Sequence, residues 1–457
     1  MLQRAAALLG SIFAIYFART AWRSIHTRAP TWVDGPVLDI MEAFRSGRLY
    51  QISGLKTMPY TVLTHTPLSY AIDYGLYRLW PGFSVLRLVN VIATIACAAL
   101  IFSWVHRRTK TAAAPVFAAC AFLSMPPVFQ WSQVARSPDS FCCFFSLAAL
   151  MALENPSRRR NILLGALFTL AFFSKQTAAL ILLPTLIIAD YRERRSAGMI
   201  LGWLAVSVAI ITPICLWLQW STRGGFWLNV VEANSCCAFS LGLFIHLIRI
   251  LIFFWIFAGL AFALSGKNRT PAHVWAIVSI GVGLLTCGKL GADTMYFFDG
   301  SAAIALLSGL AIDRGANKAA IALMIALFPC LMFSDVSIAR TSSLAVEESY
   351  RAMMVDLRPY PTILSDEASI DINSGRPWYW GDPLVLGQLE QDGKWNASFI
   401  ESGLATHRFA AVVVWSPYAW SQTQLDILHH QYHLWRTYTA FKGSYHAYLP
   451  NSPGGSR

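Results

Sequence analysis

Charge is scarce in this sequence. Of 457 residues only 13% are Asp, Glu, Lys or Arg, while 56% are hydrophobic. A chain of that balance cannot coat a water-soluble core with charge, which excludes an ordinary globular protein. The nine cysteines all fall between Cys97 and Cys330. They lie mostly inside apolar stretches and show no CxxC spacing, so the chain carries neither a disulfide framework nor a thiolate metal motif. The adjacent pairs Cys142/Cys143 and Cys236/Cys237 are poorly placed to bridge. No glycine-rich nucleotide loop is present, which argues against a nucleotide-bound substrate. No internal repeat is found, which disfavours a solenoid or a transporter built of two similar halves.

What is abundant is apolar and aromatic, with 17 Trp, 28 Phe and 16 Tyr. Apolar stretches near the ~20 residues that span a bilayer recur over the first three quarters of the chain. They read as membrane helices near 5–22, 87–105, 112–130, 139–153, two short legs around 175, 197–219, 241–264, 272–288, 299–312 and 319–334. The first follows Arg4 and lacks a clean small-x-small site, so it reads as a helix and not as a cleaved leader. The expected fold class is a polytopic α-helical membrane bundle, residues 1–334, of about eleven transmembrane helices with an outer loop at 23–86. Residues 335–457 turn polar and read as a C-terminal soluble α/β domain. In it "PTILSD", "FAAVVVW" and "HLWRTYTAF" predict strands, while "DPLVLGQLE", "NASFIESGLATH" and "SQTQLDILHHQ" predict helices, alternating as in a small parallel sheet.

Orientation follows from the basic loops. "HRRTK" (106–110), "RRR" (158–160), "RERR" (192–195), "GKNR" (266–269) and "DRGANK" (313–318) should face the cytoplasm. Two of them bracket Ile162 to Ala189, which must then cross an even number of times. As one helix that stretch would run about 42 Å and leave Lys175 in mid-membrane. Split at Ser174 to Gln176, it gives two legs of roughly 20 Å whose turn lies below the membrane surface, where irregular backbone is tolerated only against a wet cavity. The competing reading is one tilted helix from which Lys175 snorkels. The split places the amino terminus inside and the C-terminal domain outside. "TPLSYAIDYGLYRLWPG" then reads as an amphipathic helix in the outer interface. The outer loop is itself basic (Arg23, Arg28, Arg45, Arg48, Lys56, Arg78, Arg87), which the positive-inside rule does not explain and an anionic substrate would.

On this topology polar residues converge at the outer helix ends. They are Asp34, Asp39, His65, Arg136, Asp139, Lys175, Gln176, Glu232, Asn234, Lys289, Asp293 and Tyr296. Carboxylates there can act as general bases, and Lys and Arg can hold phosphate or a leaving oxyanion. Each also has a structural reading. Asp139 can serve the first turn of a helix, Asp34 a turn, and His65 a loop hydrogen bond. Arg249, with His246, sits inside an apolar helix, a costly placement that suits a lipid phosphate or a carboxylate partner.

Taken in order, these stretches resemble the GT-C class of integral membrane glycosyltransferases, the group that includes protein O-mannosyltransferases and the aminoarabinose transferases acting on lipid A. The resemblance runs over nearly the whole length. It rests on the acidic residue of the first outer loop (Asp34), the "PLxY" stretch that ends at Tyr70, the "RxPD" of Arg136 to Asp139, the hairpin from Gly165 to Ala178, and "GKLGADTMYF" followed by a helix and a soluble domain. It implies inverting transfer of a sugar from a polyprenyl-phosphate donor to an acceptor hydroxyl on the extracytoplasmic side. It also implies Asp34 as base and Asp139 as a second catalytic carboxylate. His65, Arg136, Lys175, Gln176, Arg249, Lys289 and Tyr296 are then the residues for donor phosphate and substrate. Departures are Gly35, where many relatives carry Glu, and Thr66, where some carry a basic residue. The implied partners are the lipid-linked donor, a glycan, lipid or protein acceptor, and membrane lipids, with no nucleic acid. No metal ligands are assigned, and a divalent cation is left open. The implied location is multi-pass in a membrane, the bacterial inner membrane with the C-terminal domain outside. The alternative from another class is a transporter or flippase for an anionic lipid or solute.

Overall fold

The computed structural model describes residues 2–31, 33–154, 159–194, 197–266, 270–314, 318, 321–330, 344–441 and 443–451. Helices dominate to residue 330. They are α1 (Leu2–His26), α2 (Asp34–Arg45), α3 (Pro67–Tyr77), α4 (Phe83–His106), α5 (Ala113–Ser124), α6 (Pro126–Trp131), α7 (Pro138–Leu153), α8 (Arg160–Ser174), α9 (Ala178–Arg194) and α10 (Ala197–Ser221). After short turns from Gly225 to Ser235 come α11 (Leu241–Ile250), α12 (Ile252–Leu264), α13 (Pro271–Thr286), α14 (Phe298–Arg314) and α15 (Ile321–Cys330).

Proline sets several boundaries. α3, α6, α7 and α13 each start with Pro, whose missing N–H costs nothing in a first turn. The stretch expected as one helix at 112–130 is broken at Met125, since Pro126 disfavours a helical residue before it. Phe83–His106, Ala197–Ser221 and Thr294–Arg314 are long and apolar enough to cross a membrane, and α11 with α12, bent by 65°, makes a fourth candidate span. α14 is the axis of the bundle, 94% buried in its apolar window, while α10 is 11% buried. α10 turns Leu201, Val208, Leu216, Trp217 and Trp220 outward, as expected of a helix solvated by lipid. α8 and α9 form the expected hairpin. Lys175 leaves the helix in extended conformation (φ −157°, ψ 125°), and the legs hold 15 and 17 residues. At ~1.5 Å per residue each is shorter than a ~30 Å hydrocarbon core.

The bundle has two chemically different ends. At one, the basic loops are tied down by acidic and carbonyl groups. Arg108 pairs with Glu154, Arg160 with Asp190, the Lys110 N–H donates to Asp313 (2.8 Å), and Arg314 donates to the Ser265 carbonyl. The predicted loop positions 158, 195, 267–269 and 315–317 lie outside the described residues, as does the expected end of the last helix beyond Cys330. At the other end gather α2, α3, the α8–α9 turn and the start of α14.

The C-terminal domain comprises α16 (Leu344–Asp356), β1 (Ile363–Ser365), α17 (Ala368–Asn373), α18 (Pro383–Gln391), α19 (Ser398–Ala405), β2 (Ala411–Val414), α20 (Gln422–Gln431), β3 (Tyr432–Thr439) and β4 (Ser444–Pro450). The sheet order is β1-β2-β4-β3. The expected all-parallel sheet is corrected: only β1–β2 is parallel, and β4 runs antiparallel to both neighbours. A tight turn after Thr439 returns the chain as a hairpin, which forces that geometry.

The domain is seated firmly on the outer loop. The Tyr60 N–H donates to the Tyr379 carbonyl (2.8 Å), and the Gly381 N–H returns a bond to the Tyr60 carbonyl (2.9 Å). Asp39 accepts from Trp378 Nε1 (2.7 Å) and Thr61 Oγ1 (3.0 Å). Two glycines permit this fit. A Cβ on Gly381 would collide with the Asp39 carboxylate, and one on Gly35 with the Glu367 carboxylate. Both carboxyls are buried without a paired cation, and burial raises Asp39 to about 7 and Glu367 to about 8, the latter also by the nearby Asp34 charge.

Candidate functional site

A cavity of about 520 Å³ opens between the bundle end and the C-terminal domain. The outer loop contributes Thr64, His65 and Tyr70. The helix ends contribute Trp131, Arg136, Lys289, Asp293 and Tyr296, and the domain closes the roof with Asp366, Asp382 to Val385 and Trp415 to Ala419.

The bundle side is cationic and internally connected. Arg136 donates to His65 Nε2 at 2.5 Å. A guanidinium can only donate, so Nε2 accepts and Nδ1 carries the imidazole hydrogen. Burial, reinforced by the charges of Arg136 and Lys175, holds the His65 pKa well below the usual histidine range and keeps the ring neutral. Behind this wall Lys175 pairs with Asp139 Oδ1 and lies 5.5 Å from the Tyr296 ring centre, a cation–π contact with a residue that lines the cavity. Asp139 Oδ2 has no hydrogen-bond partner and sits 4.0 Å from Arg136 Nε. Lys289 Nζ donates to the Asn234 carbonyl (2.7 Å), while Gln176 and Asn234 both donate to the Thr64 carbonyl (2.7 and 2.6 Å). Two carboxylates, Asp139 and the cavity-lining Asp293, thus stand with three cations, Arg136, Lys175 and Lys289. Cations so placed can hold an anion.

Asp34 is placed differently. It is 0% exposed and begins α2 beneath the cavity floor. Oδ2 accepts from Arg87 at 2.5 Å and from the Thr31 N–H at 2.7 Å, and Oδ1 accepts from the Ala135 N–H at 2.8 Å. Arg87 in turn donates to the carbonyls of Ser24, Thr27 and Ala29. This is a closed structural latch between α1, α2, α4 and the segment before α7.

Of the residues singled out from the sequence, His65, Arg136, Lys289 and Tyr296 line the cavity. Asp139, Lys175 and Gln176 stand directly behind its wall. Two placements are corrections. Asp34 is fully buried and does not line the cavity, although its neighbours Val33 and Pro36 do, and its oxygens accept from Arg87 and two backbone N–H groups. Arg249 is exposed on α11, a short helix bent by 65° from α12, and it does not line the cavity. Sequence reading expects the C-terminal domain to cover the outer cavity or engage the acceptor, but it does not single out the residues of the roof. Asp366 accepts from the N–H groups of Trp415 and Ser416 and from Trp420 Nε1, which shapes the 415–420 loop, and burial raises it to about 6. Asp382 precedes Pro383 at the start of α18. An Asp-Pro pair marks a helix start, but nothing local tells that this one faces a distant cavity. Among the described residues no group of three or more His, Cys, Asp or Glu is placed to hold a metal.

Comparison with known proteins adds three findings. The profile of the dolichyl-phosphate-mannose-protein mannosyltransferase family matches residues 65–220. ArnT from Cupriavidus metallidurans, solved bound to undecaprenyl phosphate, is similar in structure with a TM-score of 0.65 at 13% identity, covering 98% of this chain and 99% of that one. The oligosaccharyltransferase of Archaeoglobus fulgidus in its apo form is similar with a TM-score of 0.54 at 13% identity, covering 99% of this chain and 74% of that one. No curated protein matches the sequence significantly. The chain therefore resembles the GT-C superfamily of integral membrane glycosyltransferases, and its fold is GT-C-like.

Proposed function

We propose that the cavity transfers a sugar from a polyprenyl-phosphate donor to the hydroxyl of an acceptor, on the extracytoplasmic side of a membrane. The observation that carries this reading is the division of the cavity. A cationic bundle wall (Arg136, Lys175 behind Tyr296, Lys289) faces a roof that carries carboxylates, at the end of the bundle opposite the basic loops. The phosphate of the donor lies against the wall, and its prenyl chain leaves sideways between apolar helices into lipid. The acceptor oxygen attacks the anomeric carbon as the bond from that carbon to the phosphate oxygen breaks. The phosphate keeps the electron pair and is stabilised by the cations, and the hydroxyl proton passes to a carboxylate. Attack from the roof on a leaving group at the wall inverts the configuration. Asp139 holds Lys175 and Arg136 in register, and Asp34 fixes α2 under the site. That ArnT was solved with undecaprenyl phosphate supports a lipid phosphate as the ligand class.

The test is to incubate purified protein with undecaprenyl-phosphate-linked arabinose, mannose, glucose and galacturonic acid plus a membrane lipid extract. The expected result is consumption of one donor, slowed at least tenfold by Arg136→Ala. Absence of both consumption and undecaprenyl-phosphate binding would overturn the reading.

A further inference from the structure

Arg136 lines the cavity, and two carboxylates compete for it without closing on it. Asp139 Oδ2 stays 4.0 Å from its Nε, and Asp139 gives its other oxygen to Lys175. Asp382 of the roof feels the Arg136 charge, which pulls its pKa down against the rise that burial causes. What the guanidinium touches is neutral. Nη2 donates to His65 Nε2 at 2.5 Å, and the guanidinium carbon lies 5.3 Å from the centre of the Trp131 ring.

The contrast with Arg87 shows what this arrangement achieves. Arg87 donates to Asp34 and to three backbone carbonyls, so its charge is consumed inside the fold. A neutral acceptor orients a guanidinium and leaves its charge uncompensated. Without that acceptor Arg136 would be free to close on Asp139 or to turn toward Asp382, and either move would consume its charge.

The ring that does the holding is itself held. The Thr64 carbonyl accepts from Gln176 and Asn234 (2.7 and 2.6 Å), the His65 carbonyl accepts from the Tyr50 hydroxyl, and Thr66 Oγ1 donates to the Phe172 carbonyl (2.7 Å). Three consecutive residues are thus pinned to their surroundings before Pro67 starts α3. His65 is 6% exposed. A doubly protonated imidazole donates from both nitrogens, so it has nothing to offer Arg136.

We infer that His65 is a positioning residue: as a neutral acceptor it aims Arg136 at the donor phosphate and does not bind that phosphate itself. The assignment rests on the transferase reading. It changes the role the sequence suggested for His65 from phosphate ligand to holder of one.

Undecaprenyl-phosphate binding to the purified full chain, with the melting temperature measured alongside, tests this. His65→Ala should raise Kd roughly tenfold, the scale of one hydrogen bond to a charged group. In an Arg136→Ala background the same change should have no further effect, because the two residues act as one unit. His65→Gln, whose amide oxygen reaches the place of Nε2, should recover most of the lost affinity. His65→Lys should bind more weakly than His65→Ala although it adds a positive charge, since an ammonium cannot accept from Arg136 and repels it. An unchanged Kd in His65→Ala, wild-type affinity in His65→Lys, or single effects that multiply in the double variant would each overturn the inference and leave the transferase reading intact. If His65→Ala melts many degrees early, the order of the Gln and Lys variants decides. Wild-type protein that neither binds undecaprenyl phosphate nor consumes a donor would overturn the transferase reading, and this inference with it.

Discussion

The bundle wall and the joint between bundle and C-terminal domain both bury carboxylates, but they settle them in opposite ways. On the bundle side two of them are matched to cations: Asp34 to Arg87 beneath the cavity and Asp139 to Lys175 behind its wall. In the joint, Asp39 and Glu367 face hydroxyl, indole and backbone donors with no paired cation, and burial pushes both up, to about 7 and about 8. An ion pair holds its geometry over the whole physiological range. A buried carboxyl without one makes the contact depend on its proton. The wall is a fixed electrostatic surface and the joint is a conditional one.

The largest effect should come from breaking the sealed pair beneath the cavity. Arg87→Ala leaves Asp34 charged and buried, a change that costs about 3–5 kcal/mol. Its melting temperature in detergent should fall by many degrees, and activity should disappear with the fold. A normal melting temperature with lost activity would instead return Asp34 to the chemistry. Lys175→Ala should be milder on stability, because Asp139 keeps Arg136 at 4.0 Å. It should weaken undecaprenyl-phosphate binding by roughly tenfold, about 1.4 kcal/mol, in a direct binding assay. Unchanged affinity would remove Lys175 from the phosphate site.

What could be read without coordinates follows the same division. The hairpin at Lys175 was legible because a charge inside an apolar run has few permitted solutions, and the arginines at its ends fixed the parity of crossings. The short strands and helices after Pro359 were legible from local periodicity. β4 was not singled out, and with it the antiparallel half of the sheet was lost. α2 was not foreseen, because Asp34 before a Gly-Pro reads as a turn. Long-range partners were invisible. Asp34 and Arg87 lie 53 residues apart, and Glu367 fills the space over Gly35 from the far end of the chain. The sequence marked which residues were chemically costly. Packing decided which of them paid that cost with a partner and which face the cavity.

The conditional joint gives a pH prediction with a definite sign. Glu367 rises from 4.5 to about 8 and Asp39 from 3.8 to about 7 in the folded protein. Between those limits the folded state binds more protons than the unfolded one, so stability falls as pH rises. The melting temperature of the C-terminal domain should be higher at pH 6 than at pH 8.5. Glu367→Gln keeps an oxygen for Ser369 and cannot ionise, so it should flatten that dependence and raise the melting temperature at pH 8.5. An unaltered pH profile in the variant would place the control elsewhere.

The smallest structural effect should come from the rim of the roof, where Tyr418 lines the cavity mouth and is 92% exposed. A side chain with so little packing contributes little to folding, so Tyr418→Ala should change stability by less than about 0.5 kcal/mol. If the cavity transfers sugar as proposed, an aromatic face at its opening is a surface on which an acceptor can rest before reaching the reacting groups. The variant should raise KM for the acceptor severalfold, while kcat and undecaprenyl-phosphate affinity stay the same. A fall in kcat instead would show that the loop shaped by Asp366 takes part in closing the site around the reacting groups, and the roof would then be a moving element and not a fixed cover.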